Sequence, residues 1–217
     1  MKRISAGSVL FLAASISLSI ALAEPLKIDY PKPSMEDNGP VAINLLNMGL
    51  PRAVGPWNFD VPAGCTNLAL GRPVSSSERD PLIGSLDMIT DGRKDRGETY
   101  LVELGAGTQW VQIDLGRASE IYAVLTWHGI GRGCACKAVT VQLSNDAAFS
   151  NGVTTVFNND IENLNSQGIG KDSCYIETRY GMLFDARGAM ARYVRLWSNG
   201  NTVNKMNHYI EVEVWGK

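Results

Sequence analysis

An all-β chain, folded as an antiparallel sandwich or barrel, is the class this sequence predicts. Three observations carry that reading: short runs with apolar residues at every second position, Gly-, Asn- and Asp-rich stretches between them, and no sustained helical stripe with caps. The strand-to-helix alternation that a nucleotide-binding parallel sheet requires is missing.

Taken in order, the first element is a leader. Lys2 and Arg3 are basic, Val9 to Ile20 is apolar, and Ala21-Leu22-Ala23 has the small-residue pattern of a cleavage site. This is the layout of a secretory signal peptide over residues 1–23, too short and wrongly flanked for a stable membrane span. The sequence therefore predicts a secreted, periplasmic or cell-surface protein with no membrane span. Residues 24–64 are rich in Pro, Gly and Asn, with one apolar patch from Val41 to Leu50, and read as an extended lead segment or linker. The β texture begins at Cys65 and runs to Lys217.

Within residues 65–217 the strands declare themselves by period two. In Trp110 to Leu115, Val111, Ile113 and Leu115 point one way while Gln112 and Asp114 point the other. Ile121, Ala123, Leu125 and Trp127 repeat the pattern, as do Val139, Val141 and Leu143. Tyr193 to Trp197 and Ile210 to Val214 complete the set, and the shared phase places Val111, Ile113, Leu125, Val141, Val194 and Val212 inside. Asn158 to Asp172 reads as a long polar loop. Gly129 to Gly133 is a glycine-rich turn with no following helix, which argues against a phosphate cradle.

Composition narrows the function. The 217 residues carry a net charge of −2, so there is no basic footprint for nucleic acid. A charged fraction of 19% with 45% apolar residues suits a folded domain. The four cysteines are Cys65, Cys134, Cys136 and Cys174, and export would place them where disulfides persist. A bridge inside Cys134-Ala135-Cys136 closes a very small, strained ring, so a bond from Cys134 or Cys136 to Cys174 is favoured. The competing reading joins Cys134, Cys136, Cys174 and His128 in a soft-metal site, although their spacing fits no standard zinc motif.

Six segments from Cys65 onward carry a resemblance. They are Asn67-Leu68-Ala69-Leu70-Gly71-Arg72-Pro73-Val74-Ser75-Ser76-Ser77, Ile89-Thr90-Asp91-Gly92, Trp110-Val111-Gln112-Ile113-Asp114-Leu115-Gly116, Val141-Gln142-Leu143-Ser144-Asn145-Asp146, Ala191-Arg192-Tyr193-Val194-Arg195-Leu196 and Tyr209-Ile210-Glu211-Val212-Glu213-Val214-Trp215-Gly216. In this order they resemble the discoidin, or F5/8 type C (galactose-binding-like), family, which includes bacterial carbohydrate-binding modules. The resemblance implies an antiparallel eight-stranded jelly-roll β-sandwich with a binding role. Relatives with a cysteine near the first strand often pair it with one after the last. This chain has none after Trp215-Gly216-Lys217, which leaves the partner of Cys65 open.

The resemblance also implies calcium as a structural cofactor. In many sugar-binding relatives the D-G turn and the first Glu of the E-V-E-V strand hold the ion. Here those positions are Asp91 and Glu211, with carbonyls near Arg93 and Ile210 and the Thr99 hydroxyl as further ligands. The local acidic cluster of Asp87, Asp91, Asp95 and Glu98 fails the EF-hand spacing, so its own alternative is a plain acidic turn.

Sugar binding asks for an aromatic face against a pyranose and planar polar groups for its hydroxyls. Loops at one end of the sandwich offer Trp127, His128 and Arg132, with Asn204, Asn207 and His208 from the last long loop. Trp127 also continues a strand face and has core packing as its other reading. Catalysis finds little support: there are two histidines, no G-x-S-x-G elbow and no H-E-x-x-H helix. The expected function is a secreted, non-catalytic module binding a glycan or glycoconjugate. The competing expectation is a structural or adhesive domain docking onto another surface protein.

Overall fold

The computed structural model describes residues 22–32, 52–53, 55–94, 100–129 and 135–217. Most of the leader, the Val41 to Leu50 patch, Asp95, Glu98, Thr99, Arg132 and Cys134 lie outside the described residues. Among those described there is no α-helix, one 3-10 turn at Leu86–Thr90, and otherwise strands and loops.

Two long strands build the molecule. β7 (Gln109–Trp127) and β11 (Met182–Ser198) pair antiparallel along their length, with register shifts between Asp185 and Ala189 and between Ala191 and Tyr193. The first half of β7 and the second half of β11 form a front layer with β5 (Val74–Ser76), β8 (Thr140–Ser144) and β9 (Thr154–Asn158). The remaining halves form a back layer with β13 (Glu211–Gly216) and β4 (Thr66–Asn67). Seven strands thus share one continuous sheet, with β4 and β9 at its two ends. The antiparallel sandwich is as expected; the tally of eight strands is not what the hydrogen bonds give. Smaller pairs are β6 (Val102–Leu104) with β12 (Asn207–Tyr209), β1 (Ala23–Pro25) with β3 (Asp60–Pro62), and β2 (Arg52–Ala53) parallel to β10 (Tyr175–Ile176).

The main core lies between the layers and contains Val111, Ile113, Val141, Val194 and Val212. Burying each such side chain stabilises the fold by about 1.5–3 kcal/mol. Leu125 is buried as expected, but not between the layers. It belongs to a second apolar cluster with Ala123, Trp127, Leu183 and Ile210, on the outer side of the back layer. The cause is local. Gly216 pairs with Ile121 and Trp215 with Ala123, so Tyr122 is one residue extra on β7. One extra residue turns every following side chain to the opposite face. Ile121 therefore stays in the main core while Ala123, Leu125 and Trp127 point outward.

That outward apolar face has to be covered. The lead segment does so: Leu26 and Val61 are buried in the second cluster, and Ile28, Tyr30, Trp57 and Phe59 pack against it. Its residues 24–32 and 55–64 lie against the domain as a structural cover.

Candidate functional site

The expected sugar-binding residues cluster where β7 ends, and most of them are interior. Trp127 is 1% exposed and donates its indole N–H to the Arg179 carbonyl at 3.1 Å. The Lys94 ammonium lies 5.0 Å from its ring centre. Gly181, at φ +62°, closes over the ring so tightly that a Cβ there would lie 2.6 Å from Trp127 Cε2. His128 is also 1% exposed. Its backbone N–H donates to one Glu177 oxygen at 2.6 Å, and its Nδ1 bonds the other at 2.7 Å.

The last loop behaves alike. Asn207 is buried, accepting from the Gly200 N–H at 2.8 Å and donating to the carbonyls of Gly105 and Gly107 at 2.7 and 3.0 Å. His208 is buried, with Nε2 2.7 Å from a Glu103 carboxylate oxygen. Asn204 sits exposed at the turn tip, its Oδ1 accepting from Asn201 Nδ2 and the Met206 N–H. Trp127, His128, Asn207 and His208 therefore hold the loops in position, although His128 Nε2 and His208 Nδ1 are buried without a hydrogen-bond partner among the described residues.

Sequence reasoning missed the groups that stand in front of them. Arg179 and Tyr180, in the loop before β11, meet Tyr30 and Trp57 of the lead segment, and all four are half-buried. The Tyr30 and Tyr180 rings cross edge-on at 5.0 Å and 88°. The Arg179 guanidinium lies 4.4 Å over the Tyr180 ring and donates to the Pro31 carbonyl at 3.0 Å. Trp57 donates its indole N–H to the Gly181 carbonyl at 3.1 Å, and its backbone N–H to the Tyr30 hydroxyl at 3.0 Å. The run Glu177-Thr178-Arg179-Tyr180-Gly181 carries charge, aromatic and glycine together, a signal of a built loop. Nothing in it announces that its partners lie before residue 60.

Of the expected calcium residues, Thr99 lies outside the described residues, while the turn after Asp91 meets Glu211 through Gly92, 119 positions away in sequence. Asp91 follows the 3-10 turn and accepts the Arg93 N–H at 2.8 Å. Gly92, in the left-handed region at φ +84°, directs its N–H to both Glu211 oxygens at 3.2 Å. Glu211 is fully buried, and burial pushes its carboxyl up to about 9. The nearby Lys94 ammonium is engaged by Glu213 at 2.5 Å. A buried carboxylate is costly unless a proton, a paired charge or a cation neutralises it.

Cys174 is buried with a free thiol directed at the Tyr175 carbonyl, and burial raises its pKa. The expected bond from Cys136 or Cys134 to Cys174 is not made in this structure. Cys136 is buried, and Cys65 is a half-buried thiol near the start of β4. The alternative soft-metal set finds no support: among the described residues no group of three or more His, Cys, Asp or Glu is arranged to hold a metal ion.

No protein-family profile matches the chain, and no curated protein matches it in sequence. Solved structures do match in shape. A fucose binding module from Streptococcus pneumoniae aligns at TM-score 0.51 and 14% identity, covering 72% of this chain and 99% of that one. A lectin-domain mutant of lectinolysin complexed with Lewis b aligns at 0.51 and 18%, covering 70% and 96%. A family 89 glycoside hydrolase from Clostridium perfringens aligns at 0.51 and 16%, covering 70% of this chain but only 14% of the enzyme. With the sheet order described above, these matches show that the chain has the galactose-binding-like β-sandwich fold.

Proposed function

We propose that the protein is an exported, non-catalytic module that binds a glycan at the loop end where β7 finishes. The observation that carries this is the half-buried group of Tyr30, Tyr180, Trp57 and Arg179, packed together beside the buried Trp127. It supplies aromatic surface for a pyranose ring and a planar guanidinium for its hydroxyls. Domains of the same fold that bind fucose or carry Lewis b support the reading. Asn204 and Arg132 remain candidates for direct contact, while Trp127, His128, Asn207 and His208 act as positioning residues. Structural calcium, held by Asp91 and Glu211 with carbonyls near Arg93 and Ile210 and the Thr99 hydroxyl, would neutralise the buried carboxylate and tie the Asp91 turn to β13.

The test is a glycan array with the full chain, with and without calcium, repeated for Tyr180→Ala and Arg179→Gln. Selective glycan capture lost in both variants, at unchanged melting temperature, is the expected result. A second reading rests on the lead segment, whose own aromatics occupy this end: the surface would then be an adhesive contact with another surface protein. An array with no selective binding, calcium present, would favour that reading.

A further inference from the structure

The sequence holds three Asn-Gly pairs, at 38–39, 151–152 and 199–200, of which the first lies outside the described residues. Asparagine followed by glycine is a reactive pair, because glycine has no Cβ to keep its backbone nitrogen away from the asparagine side-chain carbonyl carbon. The reaction runs only where the fold leaves that nitrogen and that amide free. The two described pairs differ in this respect.

Asn199-Gly200 is closed at both reacting ends. The Asn199 amide Nδ2 donates to the Thr108 hydroxyl at 2.8 Å, and the Gly200 N–H donates to Asn207 Oδ1 at 2.8 Å. Gly200 is buried, and a Cβ there would lie 3.1 Å from the Lys205 carbonyl oxygen.

Asn151-Gly152 is open at both. It lies in the loop between β8 and β9, where both residues are exposed. Among the described residues, neither the Asn151 side-chain amide nor the Gly152 N–H has a hydrogen-bond partner. Gly152 takes left-handed backbone at φ +59°, and a Cβ built on it would meet nothing within 4 Å. The Asn151 main chain is nevertheless held: its N–H donates to Asp146 Oδ2 at 3.2 Å, and its carbonyl accepts from the Ser144 hydroxyl at 3.0 Å. That carbonyl belongs to the peptide link whose nitrogen is Gly152. A donor on it draws electron density from nitrogen to oxygen and eases loss of the Gly152 N–H proton. Ser144 Oγ itself accepts the Asp146 N–H at 3.0 Å, which strengthens its hydroxyl as a donor.

We propose that Asn151 is a site of spontaneous modification, converting to aspartate and isoaspartate in the folded protein while Asn199 stays intact. Solvent base takes the Gly152 N–H proton, and the nitrogen attacks Asn151 Cγ. The new N–Cγ bond closes a succinimide ring as the Cγ–Nδ2 bond breaks, and ammonia leaves after taking up a proton from water. Water then opens one of the two imide C–N bonds, giving aspartate or isoaspartate, with no oxidant or reductant involved. Either product sets a new carboxylate beside that of Asp146, which already accepts the N–H groups of Ala148, Ser150 and Asn151. In isoaspartate the carbonyl that Ser144 engages becomes part of a free carboxylate, and the chain continues through Cγ.

The experiment incubates the full chain in mildly alkaline buffer, with and without urea, then digests it in acid and maps residues 151 and 199 by mass spectrometry. In the folded protein Asn151 should gain the mass of an amide-to-acid exchange while Asn199 does not; in urea both should convert at comparable rates. Gly152→Asn keeps a residue that tolerates left-handed backbone but puts a Cβ beside the attacking nitrogen, and should slow conversion at Asn151 about tenfold. Ser144→Ala is expected to slow it as well; if that variant does not fold, the other arms still decide. An Asn151 that persists as long as Asn199 in the folded chain, equal conversion of both, no effect of Gly152→Asn, or faster conversion in a folded Ser144→Ala overturns the proposal.

Discussion

Glu177 holds His128 at two points, one oxygen on its backbone N–H at 2.6 Å and the other on its ring Nδ1 at 2.7 Å. The pair locks the first residue after β7 to the loop that carries Arg179 and Tyr180. Replacing Glu177 with Ala strips a buried backbone donor and a buried imidazole of their acceptor together. The expected cost is about 1–3 kcal/mol in urea unfolding, with Glu177→Gln costing less because its amide oxygen still accepts one bond. Equal losses for both variants would show that the contact is not what holds the loop.

Gly181 tests the closeness of the lead segment. It combines φ +62° with a would-be Cβ 2.8 Å from the Thr126 carbonyl oxygen and 2.6 Å from Trp127. Gly181→Ala should therefore destabilise by roughly 1–3 kcal/mol and shift tryptophan fluorescence, since both Trp57 and Trp127 sit against this glycine. An unchanged spectrum and midpoint would contradict the packing.

Calcium should raise the melting temperature. At free calcium a hundredfold above its dissociation constant, mass action adds about 2.7 kcal/mol. The rise should vanish in Asp91→Ala and in Glu211→Gln. A chelator that leaves the wild-type melting curve unchanged, with no ion found in the purified protein, would reduce the site to an acidic turn.

Asp114 supplies a pH dependence. The bidentate Arg192 guanidinium, at 2.7 and 2.8 Å, holds its carboxyl below the usual range. A carboxylate lowered in the folded state stabilises above its unfolded pKa of about 3.9 and loses that contribution as pH falls through the folded value. Arg192 is 41% exposed, so solvent screening keeps the effect small. Asp114→Asn should cost roughly 0.5–1 kcal/mol at pH 7, with the gap to wild type closing towards pH 2. A gap that persists in acid would point to packing instead.

The fold was legible because its signals are local. Alternation in Val111 to Leu115 and Val139 to Leu143 depends only on neighbouring residues and the pleat. Tyr122 was not legible: an extra residue in a strand leaves the apolar count intact while exchanging faces, and only the pairing with β13 reveals it. That the Asp91–Gly92 turn lies against Glu211 could be anticipated because family resemblance supplied both ends. Glu177 with His128 and Tyr30 with Tyr180 could not, since each joins segments that no periodicity relates. Likewise, nothing local distinguishes an exposed Trp127 from one covered by Gly181 and Arg179.

Asn67 pairs with Trp215, so the first strand of the domain is completed by nearly the last residues of the chain. The back layer cannot finish assembling until β13 is available, and β7 and β11 belong to both layers at once. Such long-range pairing makes folding slow relative to helical domains of the same length. Once closed, the two layers have no independent seam along which to part, and thermal melting should proceed as one cooperative transition.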